Sequence, residues 1–151
     1  QATMQWRLGS RTGSEGMQSL LAGSAPANPE RTGTWYQRSE PGWGLTVHAG
    51  GSLRVAIVYF YDGNRQPRWV LGSGRNEAVE SLAMQSYRGF CPDCPAQATT
   101  SVDGGRVDFR FEAQAATVSV DVYDPAQPEH WRRGPVAIET VLEPVVRLEG
   151  L

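Results

Sequence analysis

Two histidines, His48 and His130, are the candidate general bases of this 151-residue chain. Hydrolysis would need one of them beside a nucleophile and an acidic orienter, or two carboxylates converging across a cleft. His48 instead alternates outward on a short strand beside Gly50-Gly51, and His130 follows the turn-forming run Asp124-Pro125-Ala126-Gln127-Pro128. No G-x-S-x-G stands near either. Asp62, Asp103, Asp121 and Asp124 lie beside glycines, prolines or strand ends, where aspartate serves turn hydrogen bonding. The D-x-D-x-D-G spacing of a calcium loop does not occur. The sequence therefore reads as that of a protein without catalysis, metal or cofactor.

The cysteines form the motif Phe90-Cys91-Pro92-Asp93-Cys94-Pro95. A catalytic CxxC wants a helix N-terminus to depress the thiol pKa, and here prolines flank the pair and a Thr-rich β-like segment follows. A zinc site needs two more ligands, and His48 and His130 have no ligand-like spacing. The favoured reading is a Cys91–Cys94 disulfide pinning a turn, worth at most ~2 kcal/mol for so short a ring. It implies an oxidising compartment.

The aromatic residues carry the binding expectation. Trp35, Tyr36, Trp43, Tyr59, Tyr61, Trp69 and Trp131 cluster in or beside the best strands. Exposed on a sheet face, such rings stack sugars or peptide side chains; buried, they fill a small β core. Trp43, between two glycines at a turn, is expected to be partly exposed.

Positioning these residues falls to strands. Leu53 to Tyr61 has Leu53, Val55, Ile57, Tyr59 and Tyr61 on one face and Arg54, Ala56, Val58 and Phe60 on the other. Both faces are largely apolar, so a central strand covered on each side is expected. Asp62-Gly63-Asn64 supplies the turn with residues tolerant of positive φ, and Arg68-Trp69-Val70-Leu71 runs back. Further strands are read at 33–37, 43–48, 79–87, 106–111, 117–123, 130–132 and 136–142. Leu45 and Val47 share one face, and Val107, Phe109, Phe111, Val118, Val120 and Val122 point inward. The fold class is all-β, an antiparallel meander of eight or nine strands forming a barrel or a sandwich.

Residues 1–32 read as an N-terminal strand and linker, and 33–151 as the β domain. Met4 to Leu8 suits a strand, Ser14 to Leu21 a weak helical turn, and the proline-bearing stretch Ser24 to Glu30 a linker. Gln5-Trp6-Arg7-Leu8-Gly9 echoes His130-Trp131-Arg132-Arg133-Gly134. The echo is either coincidence or the tail of a preceding repeat in a tandem array. In both cases residues 1–9 should form a strand that pairs with a sheet edge or docks on a neighbouring copy, since an isolated Trp6 strand cannot bury its apolar face.

A net charge of −2 offers no electrostatic footprint for nucleic acid or an anionic membrane, and all 14 basic residues are arginine. No apolar run approaches the roughly 20 residues that span a bilayer, so membrane insertion is not expected.

Taken in order, Gly33-Thr34-Trp35-Tyr36, Gly42-Trp43-Gly44-Leu45, Tyr59-Phe60-Tyr61-Asp62-Gly63, Gln66-Pro67-Arg68-Trp69, the CPxCP loop at Cys91 to Pro95 and the late Trp131 to Arg133 resemble a recurrent all-β domain of exported Gram-negative bacterial proteins. The chain departs from that pattern in Gly63-Asn64-Arg65, where the turn glycine usually comes later, and in Val70, where a second aromatic commonly follows the Trp. The resemblance implies secretion, or a periplasmic or cell-surface location, as part of larger proteins, and brings no catalytic residues. Gly33-Thr34-Trp35-Tyr36-Gln37 is also similar to the opening strand of avidin-type barrels, with Gln37 where their ligand-contacting Asn stands. The functional expectation is a non-catalytic module for contact or assembly, with a protein partner or self-association through strand edges. Its alternative is a small-ligand or glycan-binding barrel with an aromatic-lined site.

Overall fold

The structure, a computed structural model, describes residues 2–17, 31–89, 98–112, 115–127 and 129–140. Eight strands close into a barrel: β3 (Gly33–Tyr36), β4 (Gly44–Gly50), β5 (Leu53–Tyr61), β6 (Pro67–Arg75), β7 (Val79–Arg88), β8 (Thr100–Phe111), β9 (Ala115–Val122) and β10 (Trp131–Thr140). Each pairs antiparallel with the next in sequence, and β10 returns to β3 through Glu139↔Tyr36 and Thr140↔Trp35. Closure decides for the barrel over the sandwich, with the β10–β3 seam paired at these two positions. The two short stretches read around 130–132 and 136–142 are one strand as far as Thr140, interrupted by a register shift between Arg133 and Val136.

Alternation fills the interior. Trp35, Leu45, Val47, Ala56, Val58, Phe60, Val70, Leu82, Met84, Val107, Phe109, Val118, Val120, Val122 and Ile138 are buried in one cluster. An eight-stranded barrel is just wide enough for side chains to fill it, and these do. One end is sealed by Trp43, Phe60 and Trp131, with Trp131 centroids 5.2 Å from Trp43 and 5.8 Å from Phe60. The other is sealed by Arg54, fully buried, with its guanidinium over the Phe111 ring at 4.5 Å and paired with Glu80 at 2.8 Å.

Several expectations are corrected. β5 is covered on both sides only in part: Arg54, Ala56, Val58 and Phe60 face inward and Val55 is buried on the outer face, but Tyr59 and Tyr61 stand exposed there. The second apolar face of this strand ends in an open aromatic surface, because barrel closure draws on the inner face and leaves Tyr59 and Tyr61 outside it. In the β5–β6 turn the positive φ falls on Arg65 (60°), stabilised by the Asp62 carboxylate, which accepts the backbone N–H of Asn64 and of Gln66 at 2.9 Å each. The helical turn expected from Ser14 is instead strand: β1 (Ala2–Leu8) and β2 (Arg11–Met17) form a separate two-stranded hairpin, paired from Ala2↔Met17 to Leu8↔Arg11. Residues 18–21 of that expectation, the 24–30 linker and the Cys91–Cys94 pair lie outside the described residues.

β1 therefore finds its pairing partner in β2. Trp6 covers Gly13, where an added Cβ would stand 2.3 Å from the indole, and its Nε1 donates to Glu15 at 3.2 Å. The echoed stretches take different forms, since Gly9 sits in the β1–β2 turn and Gly134 in the irregularity of β10.

Candidate binding face

The outer face of β5, β6 and β7 carries a row of rings. Tyr59 sits directly across from Trp69, and Trp69 lies parallel to Tyr87 at 6.0 Å between centroids with 10° between planes. On the other side of Tyr59 the register partner is Gly44 of β4, whose lack of a side chain leaves the row open at that end. Tyr59 and Trp69 are each 46% exposed and Tyr61 52%, whereas Tyr87 is partly buried. Three large rings are thus left in water at one place.

Two depressions share Trp69. The first, about 580 Å³, is bounded by Trp43, Tyr59, Tyr61, Pro67 and Trp69. The second, about 210 Å³, lies between Trp69, Ser86, Tyr87, Arg88 and Asp124. Arg68 lines both. It is held by Asp62 and Asp124, each at 2.8 Å, so the β5–β6 turn is tied to the segment after β9 and the rim of both depressions is fixed. The Gln66 backbone N–H, joined by that of Asn64 and by Arg68, holds the Asp62 carboxyl below the usual aspartate range. Arg88 is exposed and makes no ion pair with another described residue.

The structure divides the seven aromatic candidates. Tyr59, Tyr61 and Trp69 are brought together on the open face. Trp35 is fully buried, its Nε1 donating to the Arg31 carbonyl at 3.3 Å and its ring edge-on to Phe111 at 5.6 Å. Trp43, expected to be partly exposed, is 91% buried because it caps the barrel end against Trp131; its Nε1 has no partner among the described residues. Trp131 is partly buried beneath the Arg133 guanidinium, 4.9 Å from its ring. Tyr36 is partly buried opposite Gly44. Sequence reasoning missed Tyr87 and Arg88. The available signal was Tyr87 at the end of an alternating strand, which becomes part of the row only once β7 is known to lie beside β6.

The histidines take supporting places. His130 stacks on Tyr123 at 4.5 Å, with Nδ1 2.5 Å from Asp121 Oδ1, and Arg132 donates to the same carboxylate at 3.0 Å. Burial works against the Asp121 anion, but His130 and Arg132 outweigh it and its pKa is lowered. Tyr123 donates to Asp103 at 2.9 Å, an interaction that raises the phenol pKa. Asp103 is itself lowered, chiefly by accepting the Gly105 backbone N–H. His48 is exposed on β4. Among the described residues no three His, Cys, Asp or Glu side chains converge as a metal site, and no helix is long and apolar enough to cross a membrane.

The face thus combines a row of rings, two neighbouring depressions and a cation with no ion-pair partner among the described residues, on adjacent strands of a filled barrel. The chain matches no family model, no curated protein and no solved structure.

Proposed function

We propose that this domain is a non-catalytic contact module of an exported bacterial protein, and that it binds its partner through the outer face of β5–β7. The observation that carries the reading is the row Tyr59–Trp69–Tyr87 on a barrel whose interior is already filled. Aromatic and arginine side chains dominate binding energy at protein contacts, and here they stand ready without rearrangement. Closure of the barrel shifts the proposed contact from a strand edge of β3–β10 to this patch. Export is supported by the family resemblance and by the proline-bracketed Cys91–Cys94 motif, read as oxidised. The glycan reading is favoured by the same rings, with the outer sheet face as its site.

Light scattering across a concentration series, together with a panel of neutral and acidic oligosaccharides, tests the proposal. Interaction should fall about tenfold or more in Trp69→Ala and further in Tyr59→Ala/Trp69→Ala, with the melting temperature little changed, since both side chains are half in solvent. A double variant that self-associates and binds oligosaccharides as the parent does would overturn it.

A further inference from the structure

We infer that this face takes an extended proline segment of a second copy of the chain, Pro26-Ala27-Asn28-Pro29-Glu30; the inference rests on the binding role proposed for the face. The first argument is spacing. Neighbouring strands lie about 4.8 Å apart, so Tyr59 and Tyr87, two strands apart, are separated by about 9.6 Å. A polyproline II segment advances about 3.1 Å per residue, which puts prolines three apart about 9.3 Å from one another. A Pro-x-x-Pro segment lying across the strands therefore straddles Trp69, with one proline against Tyr59 in the first depression and the other against the Tyr87 ring at the edge of the second. Such a segment is largely preformed and loses little entropy on docking to aromatic rings.

The second argument is charge. The first depression is walled by Tyr59, Tyr61, Pro67 and Trp69, while the second holds Arg88, exposed and without a carboxylate among the described residues. An acid directly after the second proline would come to Arg88. The chain carries that order, proline, two residues, proline, glutamate, at positions 26–30.

The third argument is reach, and it selects a second copy. Arg31 lies over the Phe111 ring at 5.8 Å, and Thr32 Oγ1 accepts the Ala49 N–H at 3.0 Å, at the barrel end sealed by Arg54. Arg88 is at the other end: β8 runs from Thr100, paired with Arg88, the length of the barrel to Phe111. One residue spans at most about 3.6 Å, so Glu30 cannot reach Arg88 of its own chain. The face and the segment are different surfaces, which makes the contact head-to-tail and able to propagate.

The test pairs light scattering of the full chain with titration of a synthetic peptide of residues 24–32, followed by tryptophan fluorescence. Mass should rise with concentration and fall back to monomer in excess peptide. Pro29→Ala should weaken association about tenfold. Arg88→Glu should abolish it, and Arg88→Glu combined with Glu30→Arg should restore it, a rescue that a folding defect would not give. A chain that stays monomeric to about 1 mM, or associates equally well with Arg88→Glu, overturns the inference. So does a peptide that fails to bind while oligosaccharides bind and depend on Trp69, although the proposed function then stands. Loss of neither activity in Trp69→Ala removes both.

Discussion

Arg54 shows how far a single side chain governs one end of the barrel. It is fully buried, donates to Glu80 at 2.8 Å, to Asn76 at 3.1 Å and to the Glu77 carbonyl, and its guanidinium lies over Phe111. Burial lowers the Arg54 pKa and raises that of Glu80, so desolvation outweighs their mutual attraction on both sides of the pair. Removing one partner strands the other. Arg54→Met should cost about 3 kcal/mol at pH 7, measured by urea unfolding, and Arg54→Met/Glu80→Met should recover most of that loss. A carboxyl with a raised folded-state pKa contributes stability that is present at low pH and lost as pH rises through that value. The single variant should therefore regain part of its deficit between pH 7 and pH 5, and a deficit independent of pH would show that Glu80 is not the stranded group.

Two irregular strands let eight elements close. In β8 the register against β7 shifts between Met84 and Gln85, with Gly104 as the extra residue, and Gly105 follows at φ 101°. In β10 the shift between Arg133 and Val136 contains Gly134 at φ 102°. Such bulges bend and twist a strand, which is what curvature into a small barrel requires. A Cβ at Gly105 would stand 2.1 Å from the Asp121 carbonyl oxygen, and one at Gly134 2.4 Å from that of Val118. Backbone cannot move aside as a flexible side chain can. Gly105→Ala should destabilise the barrel by about 2 kcal/mol or more, whereas Gly16→Ala in β2, with nothing within 4 Å, should leave its melting temperature within a degree or so.

Across the whole molecule, depressed aspartates set the acid limit. Asp62, Asp103 and Asp121 all have folded-state pKa values below the usual range, so each contributes stability that is full above about pH 4 and is lost as pH falls through the folded value. Asp62 ties the β5–β6 turn to Arg68, and Asp103 and Asp121 join β8, β9 and the approach to β10 through Tyr123, His130 and Arg132. The urea midpoint should be level from pH 7 to pH 5 and decline below about pH 4, and Asp62→Asn should flatten that decline. Equal pH profiles for the variant and the parent would assign the acid transition to other groups.

The strands themselves were legible in the chain. Period-two alternation placed Val107, Phe109, Phe111, Val118, Val120 and Val122 inward, because a β side chain has two faces to choose between and water decides which is buried. The β5–β6 hairpin was equally plain, since local turn chemistry and two apolar runs agree. What β5 could not reveal was which of its two apolar faces would meet solvent. That choice depends on Thr140 pairing with Trp35, a contact 105 residues apart in sequence that closes the barrel and removes any second layer. Trp35, Trp43 and Trp69 illustrate the outcome: three tryptophans become a core residue, an end cap and an exposed ring. The sequence by itself determined the barrel strands and, where one face is polar, their inner faces, because those follow from neighbours along the chain. Closure, the bulges that permit it and the alignment of Tyr59, Trp69 and Tyr87 into one row were decided by tertiary structure, because they depend on how strands align side by side.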